Sequence, residues 1–406
     1  MSATTLAPSA GLGIQRPAAL LAGAALLLGA LLIGQAVSPH QALLYLLGAA
    51  LGLVLYHAAF GFTSAWRVFI ADRRGEGLRA QMVMLALATV LFFPVLASGS
   101  LFGQPVSGLV SPAGTSVVVG AFLFGIGMQL GGGCASGTLY TVGGGSTRMV
   151  ITLAAFIAGS AIGAAHLHWW AALPSLPRLS IVQLWGPWAA MAVQLAAFAA
   201  IAAVTVVLER RRHGVLATRP AAPRQGLARF TRGPWPLLAG AVALALLNFA
   251  TLALAGRPWG ITSAFALWGS KAALALGFGV DAWPFWSTPA AQAQLHGSVL
   301  ADVTSVMDFG IILGALLAAA LAGRFAPTWR MPLRSALAAV VGGLLLGYGA
   351  RLAYGCNIGA YFSGIASGSL HGWVWLAAAF AGNVLGTRLR PLFGLEVERT
   401  PRLAGC

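Results

Sequence analysis

The chain has 406 residues, of which 59% are hydrophobic and 8% charged, and its mean hydropathy is +0.85. A soluble domain carries about 25% charged residues, so composition excludes one and leaves an all-α polytopic membrane protein. The formal net charge of +16 rests on arginine, with Lys271 as the lone lysine, which in a soluble chain would suggest nucleic acid. In a membrane chain the same arginines read as orientation signals in cytoplasmic loops, and no nucleic-acid partner is expected.

In chain order, apolar runs of the length a crossing helix needs predict spans at 17–36, 40–58, 79–97, 114–131, 147–167, 186–208, 235–255, 298–323, 335–354 and 371–388. The first run has one Arg before it and no clear small-residue cleavage signal, so it reads as a span, not a signal peptide. Pieces at 59–71, 134–143, 259–281 and 356–368 are apolar but short or broken by glycine, as re-entrant half-helices would be. Arginines concentrate in 73–79, 209–234, 324–334 and the C-terminal tail, whereas 98–113 and 284–297 have neither Arg nor Lys. That alternation predicts ten spans with both termini on the cytoplasmic side of a bacterial inner membrane.

The chain also repeats itself. "GAFLFGIGMQLGGGCASGTLYT" (120–141) aligns with "GLLLGYGARLAYGCNIGAYFS" (343–363) on Cys134 and Cys356, with Gly125/Gly347, Gly127/Gly349, Gly133/Gly355 and Gly137/Gly359 coinciding. Upstream, "FGFTSAW" (60–66) matches "WGITSAF" (259–265) in the same order. Equivalent segments lie five spans apart, so the two units run in opposite directions, the arrangement of many transporters whose solute site lies between repeats. The expected organisation is an extra span (1–39), repeat 1 (40–180), an extra span with a basic linker (181–234), an inverted repeat 2 (235–390) with about 20 inserted residues, and a cytoplasmic tail (391–406).

Glycine at membrane depth permits a broken helix, which is tolerated only inside protein or along a polar cavity. The two Gly-Cys motifs therefore read as points where one helix ends and a short one begins, its amide end turned to the interior, where an anion is favoured. The candidate path residues are Cys134, Cys356, Gly133, Gly355, Gly137, Gly359, Ser136, Thr138, Asn357, Gln129 and Arg351. Secondary candidates are Thr63, Ser64, Thr262, Ser263, Tyr140 and Asp308. Arg351, whose counterpart is Gln129, either snorkels from a span end or faces inward; Asp308 either pairs within the bundle or carries a proton. Glycine-rich helices also serve simply as close-packing surfaces, and a lone cysteine as a small apolar residue. No cofactor, metal site or nucleotide-binding loop is expected, and no enzymatic activity.

On "GGGCASGTLY", "YGCNIGAYFSGIASGSLHGW" and the "GFTSAW"/"GITSAF" pair, the chain resembles the YeeE/YedE sulphur-transport membrane family over about residues 40–390. The resemblance implies a permease for thiosulfate, handed along cysteines that here are Cys134 and Cys356, and a small cytoplasmic sulfur carrier of the TusA type as a partner. A further path cysteine found in some members has no counterpart before Cys134, and Cys406 sits in the tail. A thiol is a weak donor toward a soft terminal sulfur, and weak successive contacts permit passage; both thiols are expected to stay protonated. Two other functions fit the same motifs: a transmembrane thiol–disulfide electron carrier, and a transporter of another small solute such as a selenium compound.

Overall fold

The computed structural model describes residues 13–217, 226–327 and 329–399, so Cys406 lies outside the described residues. The first half contains α1 (Arg16–Ala36), α2 (Pro39–Ala58), α3 (Phe62–Asp72), α4 (Glu76–Ser98), α5 (Thr115–Gly131), α6 (Ala135–Gly143), α7 (Thr147–Ala171), α8 (Ile181–Trp185) and α9 (Pro187–His213). The second contains α10 (Gly226–Arg232), α11 (Leu237–Ala255), α12 (Thr262–Ala275), α13 (Pro289–His296), α14 (Val303–Ala322), α15 (Leu333–Leu352), a π-helix (Asn357–Gly364) and α16 (Leu370–Leu389). Strands among the described residues are limited to two-residue pieces in loops. The protein is an all-α polytopic membrane protein.

Among the described residues, nine helical stretches are long and apolar enough to cross a bilayer. The tenth expected span, 371–388, is helix α16, which has 20 residues but carries His371, Asn383 and Arg388 and is not among the nine. Its polar groups are used internally: Asn383 is fully buried and hydrogen-bonds Gln129 of α5. The four short apolar pieces are α3, α6, α12 and the π-helix, each preceded by a break in the chain. Helices α1 and α9, set outside the repeat by the sequence, are also the least enclosed. Only 11% and 17% of their most apolar stretches are buried, against 39% or more for the other spans.

Much of the packing maps onto itself when the halves are exchanged, although α6 packs on α14 far more extensively than the π-helix does on α4. Helix α7 packs on α15 as α16 packs on α5; α2 packs on α14 as α11 packs on α4; α7 meets α12 as α16 meets α3. The pairs α5–α15, α2–α11 and α6–π-helix lie on the exchange axis. Matched glycines behave the same way. A Cβ on Gly125 would strike Ala379 of α16, and one on Gly347 would strike Phe156 of α7. A Cβ on Gly127 would meet Gly342 of α15, and one on Gly349 would meet Gly120 of α5.

Close backbone approach holds these seams, because apolar burial gives no net drive between helices in lipid. In the α2–α14 seam, Gly48 and Gly52 lie against Met307 and Ile311, while Gly310 and Gly314 lie against Tyr45 and Ala49. The basic loops are anchored too. Glu209 of α9, fully buried, accepts from Arg79 at 2.8 Å and from the amides of Gly75 and Ala217 at 3.1 and 2.9 Å. Glu209→Ala should strand Arg79 and two amides and lower stability by about 3 kcal/mol, read as a fall in the thermal unfolding midpoint of the purified protein.

Candidate functional site

The first half-helix begins at a thiol. Helix α5 stops at Gly131, and Gly132 takes the left-handed conformation (φ 94°), which reverses the chain. Cys134 then caps α6: its Sγ accepts from the Gly137 amide at 3.4 Å and lies 3.4 Å from Ser136 Oγ. Thr138 Oγ1 donates to the Cys134 carbonyl at 2.8 Å. The stranded carbonyls of α5 are satisfied from the first turns of α7. Arg148 donates to Leu130 and Gly131 at 2.6 and 2.7 Å, and Thr152 to Gly131 at 3.2 Å. Arg148 is thus a helix cap.

The second half-helix repeats the plan with different side chains. Tyr354 (φ 53°) and Gly355 (φ 155°) turn the chain after α15. Cys356 caps the π-helix, its Sγ accepting from the Ile358 amide at 3.4 Å. His371 Nε2 bonds the Ala353 carbonyl at 2.7 Å and Trp375 Nε1 donates to the Gly355 carbonyl at 3.2 Å, both again from the start of the following helix. The glycines beside the thiols have distinct jobs. A Cβ on Gly355 would press on the Ala360 amide and one on Gly133 on the Met149 methyl, so these positions are steric. A Cβ on Gly137 would meet only Cys134 Sγ at 3.5 Å, and one on Gly359 would meet nothing within 4 Å, so space opens before the second half-helix.

Both thiols are free and buried, at 1% and 0% exposure, and α6 packs directly on the π-helix. Helix α14, which carries Asp308, packs on α6 as well. Asp308 and Asn357 are fully buried, and neither carboxyl oxygen of Asp308 nor either amide atom of Asn357 has a hydrogen-bond partner among the described residues. Buried polar groups are nearly always paired, so two unpaired ones, one of them next to Cys356 in the chain, are exceptional. Trp259, which the sequence reading passed over, adds a buried, unpartnered indole N–H. Its backbone is tied to this centre, for Ser363 of the π-helix donates to its carbonyl at 2.7 Å.

The remaining expected residues separate. Thr63 Oγ1 is buried without a partner, whereas Ser64 donates to the Gly61 carbonyl at 3.3 Å. Thr262 is buried at the start of α12, and Ser263 bonds Thr304 of α14 at 3.0 Å. Arg351 is not brought to the thiols: its guanidinium lies 5.1 Å from the Phe285 ring, in the insertion of the second half. Its counterpart Gln129 is saturated: its amide donates to Asn383 and to the Thr63 carbonyl, and its oxygen accepts from Arg67 at 3.1 Å.

A cavity of about 570 Å³ opens among the basic loops. Its wall includes Ser64 and Arg67 of α3, Gln81 of α4, Tyr140 and Thr141 of α6, Arg148, Arg324, Arg390 and Glu398. Cys134 lies six residues from Tyr140 along α6, about 9 Å at the helical rise. Gln81 links the cavity to the other half, since its side-chain oxygen accepts from Trp66 at 2.9 Å and from Tyr361 of the π-helix at 3.3 Å. Arg67, Gln81, Arg390 and Glu398 escaped the sequence reading. The signal for Arg67 was present, a charge inside the apolar run "SAWRVFI". Burial acts to raise the Glu398 carboxyl, but Arg67 and Arg390 outweigh it and hold it below the usual range.

Spanning helices arranged about four short helices, two of them capped by buried thiols, define a multi-pass membrane protein. The chain belongs to the sulphur transport family, the YeeE/YedE group, whose description matches residues 57–385 and so takes in all four half-helices. It is 29% identical over 353 residues to the thiosulfate transporter TsuA of Spirochaeta thermophila, covering 83% of this chain and 95% of that one. It is 26% identical to the thiosulfate transporter TsuA of Escherichia coli K12, over 82% of this chain and 90% of that one. A shorter match, 32% identical over 169 residues, joins it to the probable transporter YedE of Escherichia coli K12, and spans 40% of each chain.

Proposed function

We propose that the protein is a permease for a small sulfur-containing anion, thiosulfate foremost, seated in the bacterial inner membrane with both termini cytoplasmic. The observation that carries this reading is the pair of buried thiols, each capping an inward half-helix, beside the unpartnered amide of Asn357. The likeness to two thiosulfate transporters supports it. In this reading residues 40–180 and 235–390 are inverted repeats, with 1–39, 181–234 and 391–406 outside them, and the substrate crosses between them.

The chemistry follows from the donors. A sulfonate end accepts well from N–H groups, which Asn357 and Trp259 supply at the centre. A terminal sulfur is a diffuse, weak acceptor that suits the S–H of Cys134 and Cys356. Weak contacts at successive places let the anion leave as readily as it enters. The open space at Gly359 admits it, and Ser136 and Thr138 follow Cys134 along α6. An anion tolerates Asp308 only as the acid, whose O–H is one more donor. Asp308→Asn, which keeps a donor and cannot ionise, should retain most of the uptake; Asp308→Ala should lose most of it. Labelled-thiosulfate uptake by cells with matched protein levels separates the two.

The cavity among the basic loops, a cationic vestibule, is then the cytoplasmic exit, and its arginines draw the anion inward. It is also where a TusA-type carrier would collect the sulfur. A thiol–disulfide electron carrier would use the same two cysteines, but it gives Asn357 and the cationic vestibule nothing to do. The test is growth of cells lacking every other thiosulfate and sulfate importer, with thiosulfate as sole sulfur source. The chain should restore growth; absence of growth with protein present in the membrane would refute the reading.

A further inference from the structure

We propose that Arg67 and Arg390 form an oxyanion-binding subsite at the basic face, separate from the thiol centre, and that Glu398 occupies it as a tethered competitor. Both arginines are buried, at 5% and 6% exposure, yet both border the 570 Å³ cavity. Neither is free to swing. Arg67 Nη1 donates to Gln129 Oε1 at 3.1 Å, and Arg390 Nη1 donates to the Gln129 carbonyl at 2.6 Å. One residue of α5 thus aims two guanidiniums, and Gln129 is itself fixed by Asn383 and Thr63.

One nitrogen of each arginine faces the same carboxylate. Arg67 Nε donates to Glu398 Oε2 at 2.5 Å, and Arg390 Nη2 lies 3.7 Å from the same oxygen. Arg390 Nε meanwhile holds the Glu396 carbonyl at 2.8 Å, which sets the tail's course past the cavity. Guanidinium forks bind carboxylate, sulfonate and phosphate oxygens by the same planar geometry. A place that holds Glu398 is therefore a place for a small oxyanion, and the cavity beside it has room for one. Glu398 follows the turn at Gly394 (φ 68°) and lies outside any helix.

An ordinary ion pair that merely pins the tail would look similar, but the two ideas differ in sign. A competitor lowers the affinity for external anion by the fraction of sites it leaves open, so removing it must tighten binding. A tether, once cut, leaves anion affinity unchanged or weaker. Only the choice of thiosulfate as the physiological occupant rests on the permease reading.

The test is calorimetric titration of the purified full chain in detergent with sulfate and with thiosulfate. Glu398→Gln should bind both about tenfold more tightly than the parent. Adding Arg67→Gln to that variant should weaken both about tenfold or more. Equal or weaker binding by Glu398→Gln, or tightened binding that survives Arg67→Gln, would overturn the proposal. Should Glu398→Gln not fold, Glu398→Asp, whose shorter arm reaches Arg67 less well, should still tighten sulfate binding several-fold, and no tightening would overturn the proposal. Sulfate binding that responds as stated in a chain that takes up no thiosulfate would leave the subsite standing and refute the permease. Thiosulfate uptake with sulfate binding indifferent to Glu398 would do the reverse.

Discussion

Replacing Cys134 and Cys356 together with alanine is expected to abolish thiosulfate uptake while leaving the protein folded and in the membrane. Alanine fits both positions, since each thiol is small and its main structural bond is a weak 3.4 Å contact with one amide. Losing a hydrogen bond to a charged partner costs about 1.5–3 kcal/mol, which is roughly ten- to a hundredfold per site in binding. Serine separates the functions. Cys134→Ser and Cys356→Ser keep a small donor at each cap, so a permease should retain part of its uptake. An electron carrier depends on sulfur and should lose everything, and its single serine variants should trap mixed disulfides with a partner. Uptake rates of the three variants, normalised to membrane protein, decide between them.

Gly52→Leu is expected to have the largest effect on folding. A Cβ at Gly52 already collides with the Ile311 backbone, and Gly314 faces Ala49 just as closely across the same seam. Nothing in the contact is a side chain that could step aside. Overpacking typically costs about 1–3 kcal/mol, and more where backbone meets backbone. Because α14 also carries Asp308 and packs on α6, separating α2 from α14 would dismantle the thiol site as well. The expected result is little or no monodisperse protein on size exclusion. The control is Gly99→Leu at a loop position where a Cβ meets nothing within 4 Å; its left-handed φ of 71° makes it a modest loss only.

Much of this architecture is legible in the sequence because lipid imposes length and apolarity on each crossing helix. The ten long helices and the four short ones fall where the apolar runs and glycine breaks lie. The π-helix after Cys356 is not legible. Its register depends on Asn248 and Trp259, which grip Ser363 from a helix and a turn more than 100 residues away in sequence. The same is true of the arginine pair, since Arg67 and Glu398 are 331 residues apart and no local pattern joins them. Gln129 and Arg351 show the limit of repeat logic. They align in sequence, yet one aims two arginines while the other lies over Phe285, because only the second half has the insertion that supplies that ring. Asp308 was visible as a charge in an apolar helix, but its lack of any partner is a property of the packed bundle.

Uptake of radiolabelled thiosulfate by proteoliposomes containing only the purified protein tests the central claim most directly. The account predicts saturable accumulation above protein-free vesicles, competed by unlabelled thiosulfate and lost in the Cys134→Ala/Cys356→Ala protein. Accumulation no greater than in protein-free vesicles, with the protein folded and inserted, would contradict the permease; accumulation untouched by the double substitution would contradict the cysteine path.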